Sequence, residues 1–162
     1  MVLFVVRIWP RAFRVDWVAA QPIRHIAIAS IWVVVALALF MYLVFSVITA
    51  PDPNDTSALP VNVLIASDHS AFIGIVTNVM LGLLATLVLR APVRTSWIGQ
   101  VMFWGVNLGL IVFVIGLILD SAEIKRIGAP VMGIALLFSL AVLAWNAVRE
   151  TLDTAEAELE PA

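Results

Sequence analysis

Residues 67–84 read SDHSAFIGIVTNVMLGLL, with an acidic residue and a histidine at the mouth of an apolar run. Beyond that opening its only polar side chains are Ser70, Thr77 and Asn78. Extended over residues 70–89, the run is long enough to cross a bilayer, whose hydrocarbon core of roughly 30 Å takes about 20 apolar residues as a helix. Residues 26–49, 97–119 and 129–148 meet the same requirement. The whole chain agrees with them. Of 162 residues, 63% are apolar and 12% charged, and the mean hydropathy is +1.09, whereas a soluble domain is about half apolar and a quarter charged.

The connections fix the topology. APDPNDTSALPVN, residues 50–62, carries three prolines among acidic and small polar residues and reads as a solvated turn. Its continuation VLIASD, residues 63–68, reads as a short interfacial helix or strand, with Asp68 capping the helix that follows or pairing with a basic group. RAPVRTS at 90–96 and DSAEIKRIGAP at 120–130 are short links, and short links imply antiparallel neighbours. Pro130 then falls in a first helical turn, where its missing N–H costs nothing. The expected fold class is therefore all-α: an integral membrane, up-down four-helix bundle spanning residues 25–148. A basic, amphipathic interfacial arm over residues 1–24 precedes it, and an acidic tail over residues 149–162 follows.

Charge sets the orientation. The arm, the 90–96 link and Arg149 hold seven Lys and Arg residues, against Lys125 and Arg126 on the other side. The positive-inside rule then predicts that both termini are cytoplasmic. In the arm, Trp9, Phe13 and Trp17 recur every fourth residue and would share a helical face at the headgroups, with Arg7, Arg11 and Arg14 free to meet lipid phosphates. Repeated arginines and the absence of a small-residue cleavage site argue against a signal peptide.

Within lipid, helices associate through close backbone approach and interhelical hydrogen bonds. Gly74, Asn78 and Gly82 lie four apart on the second span, and Gly105, Gly109 and Gly116 stripe the third. These, with Asn107 seven residues from Gln100, are the expected packing seams, and Asn146 joins them on the fourth span. No Asp, Glu, Lys or Arg occupies the middle of a span, which disfavours a pump or a carrier of charged solutes. Phe103 and Trp104 interrupt any polar stripe from Gln100 to Asn107, which disfavours a channel. Cysteine is absent, so disulfides and thiolate metal sites are excluded.

Two histidines remain. His25, beside Arg24 at the start of the first span, reads as an interfacial polar residue. His69 begins the second, and a helix of this length separates the two levels by about 35 Å, too far to share one metal ion. His69 is followed at i+3, i+4 and i+7 by Phe72, Ile73 and Val76, which on an α-helix would form an apolar wall beside the imidazole. A neutral imidazole at the polar edge of such a slot suits an axial haem ligand.

NVLIASDHSAFIGIVTNVMLGLL resembles the second-helix region of the haem-copper oxidase subunit I superfamily, and of its short four-helix relatives, in which a histidine ligates haem near the outer face. His69, Gly74 and Gly82 fall on that pattern, and FWGVNLGLIVFVIGLIL, with Trp104, Asn107 and Gly109, is similar to the next helix of the family. Where the relatives carry His-x-His this chain has Ser67, Asp68 and His69, and where their third helix carries a second histidine it has Val106. Two histidines and Tyr42 cannot build a copper site or a His-Tyr cross-link. The resemblance thus implies a bundle that binds haem b through His69, acting in electron transfer or in binding or sensing of O₂ or NO. It does not imply an oxidase that is catalytic on its own.

It also implies a bacterial or archaeal cytoplasmic membrane and a respiratory-type membrane partner. The competing expectation is a cofactor-free scaffold or accessory subunit that forms homo-oligomers or joins a larger complex. In either case the partners are membrane lipids and protein, with no nucleic acid.

Overall fold

The computed structural model describes residues 7, 10–19, 22–52, 59–88 and 97–159. The link at 90–96, with Arg90 and Arg94, lies outside the described residues, as does Trp9. Among the described residues four helices are long and apolar enough to cross a membrane, and the chain is a multi-pass, all-α membrane protein. Helix α1 is Ile23–Ile48. Helix α2 runs from Val61 through an α segment to His69, a π segment Ser70–Thr77 and a second α segment Asn78–Val88. Helix α3 starts at Trp97–Gln100, passes a π segment Val101–Gly105 and ends as Val106–Ile118. Helix α4 is Ala122–Leu159.

Proline sets two of the starts. Pro22 immediately precedes α1, and the Pro60 carbonyl accepts the Val63 and Leu64 amides to begin α2. The segment expected to lie apart as an interfacial element is thus the first two turns of α2. Asp68 and His69 sit about 10 Å along the helix axis, where Asp68 caps nothing. Pro130 likewise is the ninth residue of α4, because that helix starts at Ala122, capped by Ser121, whose Oγ accepts the Ile124 amide. The turn from α3 to α4 is only Leu119, Asp120 and Ser121. Asp120 takes the left-handed conformation, φ 48°, while Ser121 N–H returns to the Gly116 carbonyl and Asp120 N–H to that of Leu117. That is the Schellman closure.

Neighbouring helices pack antiparallel, α1 on α2, α2 on α3 and α3 on α4. Their small residues let them approach. A methyl group on Gly109 would stand 2.5 Å from the Met132 nitrogen, and one on Gly116 2.8 Å from that of Lys125. One on Gly105 would meet the Ala135 Cβ, one on Gly74 the Trp32 ring, and one on Gly82 the His25 Cβ. Trp32, Ala66, Leu110, Val114, Leu117 and Met132 form the core toward the turn at Asp120. Leu81, Met102, Val106, Ala135 and Leu143 form the core toward the N-terminal arm, and Ile73 packs against both.

The π winding of α2 has a visible cause in its sequence. Ala66, Ser70, Gly74, Asn78 and Gly82 are all buried and all four residues apart. On an α-helix a step of four overshoots one turn by about 40°, so four such steps would drift about 160° around the helix. The wider i→i+5 turn cancels that drift and keeps one straight, narrow stripe of small residues against the neighbours. Asp68, Phe72, Val76 and Met80 form the matching stripe on the exposed side.

Candidate functional site: a buried polar lock between three helices

The stripe of α2 ends on the densest polar contacts of the bundle. Asn78 Nδ2 donates to Asn107 Oδ1 at 3.0 Å, and Asn107 Nδ2 donates to Asn78 Oδ1 at 3.0 Å, a reciprocal amide pair joining α2 and α3. Trp32 of α1 donates from Nε1 to Asn107 Oδ1 at 3.1 Å. Because indole nitrogen is only a donor, this bond fixes which end of the Asn107 amide faces Trp32. His25 Nδ1 stands 3.2 Å from Asn78 Oδ1, so the ring carries its proton there and donates. The second N–H of Asn78 is shared between the Ile73 and Gly74 carbonyls, and that of Asn107 goes to the Phe103 carbonyl. Each amide thereby uses both protons and both carbonyl lone pairs.

Those last bonds explain how π segments survive inside a membrane. A widened turn loosens carbonyls that lipid cannot solvate, so side chains must serve them. Asn78 serves Ile73 and Gly74 in the α2 segment, and Asn107 serves Phe103 in the α3 segment. Thr77 does the same for Phe72.

One turn nearer the arm lies a buried cation. Arg24 is 1% exposed, and its guanidinium sits 4.4 Å from the centroid of Phe103. Nη1 donates to Gln100 Oε1 at 2.8 Å and to the Trp17 carbonyl at 3.4 Å, and Nη2 donates to the Gly99 carbonyl. Nε has no partner. Gln100 in turn donates to the Val18 carbonyl, so Arg24 and Gln100 together clasp the end of the arm. Phe103 is the hub: besides Arg24 on its face, the His25 ring meets it edge-on at 5.1 Å and Trp17 lies at 6.1 Å.

His25 therefore faces the protein interior. It is 4% exposed, because the arm covers this end of α1 and turns the residue inward to Asn78. The arm is not one amphipathic helix either. It turns at Phe13 and Arg14, and Asp16 Oδ1 accepts the Val18 and Ala19 amides. That turn leaves Phe13 exposed and sends Trp17 toward Phe103.

His69 lies elsewhere, on the flank of α2. Its Nδ1–H donates to the Ile65 carbonyl at 2.9 Å, and its ring packs 5.0 Å from Phe113 of α3. The wall of Phe72, Ile73 and Val76 does not form beside it. Through the π segment Ile73 turns into the core, while Phe72 and Val76 are 67% and 52% exposed. Trp32 closes over Gly74 on the buried face of α2.

Asn146 donates to the Val142 carbonyl of its own helix. Among the described residues no group of three His, Asp or Glu side chains is placed to hold a metal ion. His25 and Arg24 were legible as residues, but their roles depend on partners 53 and 76 positions away, Asn78 and Gln100. No known protein family, curated protein or solved structure matches this chain.

Proposed function

We propose that this chain is a cofactor-free membrane scaffold or accessory subunit, which forms homo-oligomers or joins a larger membrane complex. The reading rests on one observation: Asn78 and Asn107, at the centre of the lock, are fully satisfied by each other, by His25 and Trp32 and by backbone carbonyls. Such a lock specifies helix register in a medium where apolar contacts alone do not. Groups left for partners are peripheral, among them Asp68 on the exposed stripe of α2. The distribution of Lys and Arg supports both termini inside, and a bacterial or archaeal cytoplasmic membrane is what the resemblance to haem-copper oxidase subunit I implies.

A second reading is favoured by the tautomer of His69. With Nδ1–H held by the Ile65 carbonyl, Nε2 carries the lone pair, the arrangement that orients metal-ligating histidines. Haem b held by His69 would supply one-electron chemistry or a site for a diatomic gas.

Optical spectra of protein purified after expression with ample haem separate the two, recorded oxidised and dithionite-reduced beside light scattering in lipid nanodiscs. The scaffold reading expects no Soret band and a defined oligomer. A Soret band lost in His69→Ala and kept in His25→Ala replaces it with the haem reading, and a colourless monomer without membrane partners overturns both.

A further inference from the structure

The arm and α1 enclose a groove of about 310 Å³ that the polar lock does not use. Its floor is the stripe Ile23, Ile26, Ala27 and Ser30, at the i, i+3, i+4 and i+7 positions of α1. Such a stripe runs along the helix axis for about 10 Å, starting from the membrane surface. Its other wall is Ala12 and Val15 of the arm, with Arg11 as the single charged residue of the lining among the described residues. Ser30 would make the floor polar, but its hydroxyl donates to the Ala27 carbonyl at 2.6 Å and is withdrawn into its own helix.

An apolar slot parallel to a transmembrane helix matches a lipid acyl chain in direction as well as in chemistry. The volume falls at the lower end of the range for ligand pockets, which suits one chain rather than a ring system. Arg11 is exposed and supplies the forked donor geometry that phosphate oxygens accept. The geometry points to a single anionic phospholipid held in this groove, one acyl chain between the arm and α1 and its headgroup phosphate on Arg11. The lipid completes the docking of the arm, whose Ala12 is already 5% exposed against α1. This site is independent of whether His69 binds haem.

Native mass spectrometry of the delipidated full chain, titrated with phosphatidylglycerol or phosphatidylcholine, tests the proposal. One phosphatidylglycerol should be retained per chain in preference to phosphatidylcholine. In Arg11→Gln the preference should shrink by about fivefold, the effect of one basic residue at an anionic surface. Ile26→Trp, which grows from a partly exposed position into the slot, should abolish retention of both lipids, while Arg11→Gln keeps the fold intact as its companion. Equal retention of the two headgroups by the wild type, or unchanged retention in Ile26→Trp, overturns the site. So does a dimer that forms in place of the lipid adduct, since the groove would then hold a second copy.

Discussion

Asp120 shows how much one side chain does at the α3–α4 turn. It adopts a left-handed backbone that Asp and Asn tolerate better than most residues, accepts hydrogen bonds from Asn62 at 2.9 Å and Lys125 at 3.0 Å, and ties α2 to the turn. The bond from Lys125, then that from Asn62, then the Lys125 charge hold its carboxyl below the usual carboxylate range. A carboxyl whose folded pKa is depressed contributes stability above its unfolded pKa and loses it as pH falls through the folded one. Asp120→Asn, which keeps the backbone preference, should therefore lower the thermal midpoint at neutral pH, and the gap to wild type should close in acid. A gap that persists unchanged in acid would mean that the carboxylate is not what the turn uses. None of this was legible in DSAEIKRIGAP, where Asp120 is one polar residue of a link. The partner of His25 was hidden for a related reason: its neighbour Arg24 points to headgroups, while Asn78, which receives its hydrogen bond, lies on another helix.

The spans themselves were plain in the sequence, because length and apolarity are local properties. Their ends were less so: proline marked α2 at Pro60, but Pro130 lies inside α4. The seams give a sharp test. A methyl on Gly128 would meet the backbone of Val112 and Phe113, whereas one on Gly133 meets nothing within 4 Å. Gly128→Ala should push α3 from α4 and lower stability, while Gly133→Ala should be neutral or slightly stabilising through helix propensity; thermal unfolding in detergent reads both. The Asn pair is testable as a cycle. Asn78→Ala and Asn107→Ala should each cost more than one membrane hydrogen bond, typically about 0.6 to 1.7 kcal/mol, because each leaves a buried amide half-served. The double variant should cost clearly less than their sum. Strict additivity would remove the lock as a coupled unit.

Across the whole molecule, both ends of the bundle are tied by polar contacts, with the Asn78–Asn107 pair between them. Trp97 stacks on Phe138 and Trp145 meets the Arg149 guanidinium, giving one end the aromatic belt of a membrane surface. At that end the arm is held by Gln100 and Arg24 rather than by lipid alone. Gln100→Ala removes the bond to Val18 and one to Arg24, so amide hydrogen exchange over residues 15–19 should rise by about fivefold or more, from a loss of about 1 kcal/mol per bond. Unchanged exchange would show that the clasp is incidental to the arm. The sequence flagged the arm by its arginines and aromatics, but its turn at Asp16 and its contact with Phe103 are tertiary facts.

The wide winding of α2 makes chain length, as distinct from side-chain identity, a determinant of this fold. Adding one residue between 70 and 77, where the wide winding already absorbs one more residue than an α-helix would hold, would turn everything before it by about 100° relative to everything after it. Ser67, which reaches the Ala36 carbonyl, would swing off α1, and Asp68 would be carried round from its present face. Asn78 and the contacts beyond it would stay in place. The two halves of the bundle are thus kept in phase by a count of residues, much as two gears are kept by a count of teeth. Exchanges of similar side chains in this stretch preserve that phase, and a single insertion does not.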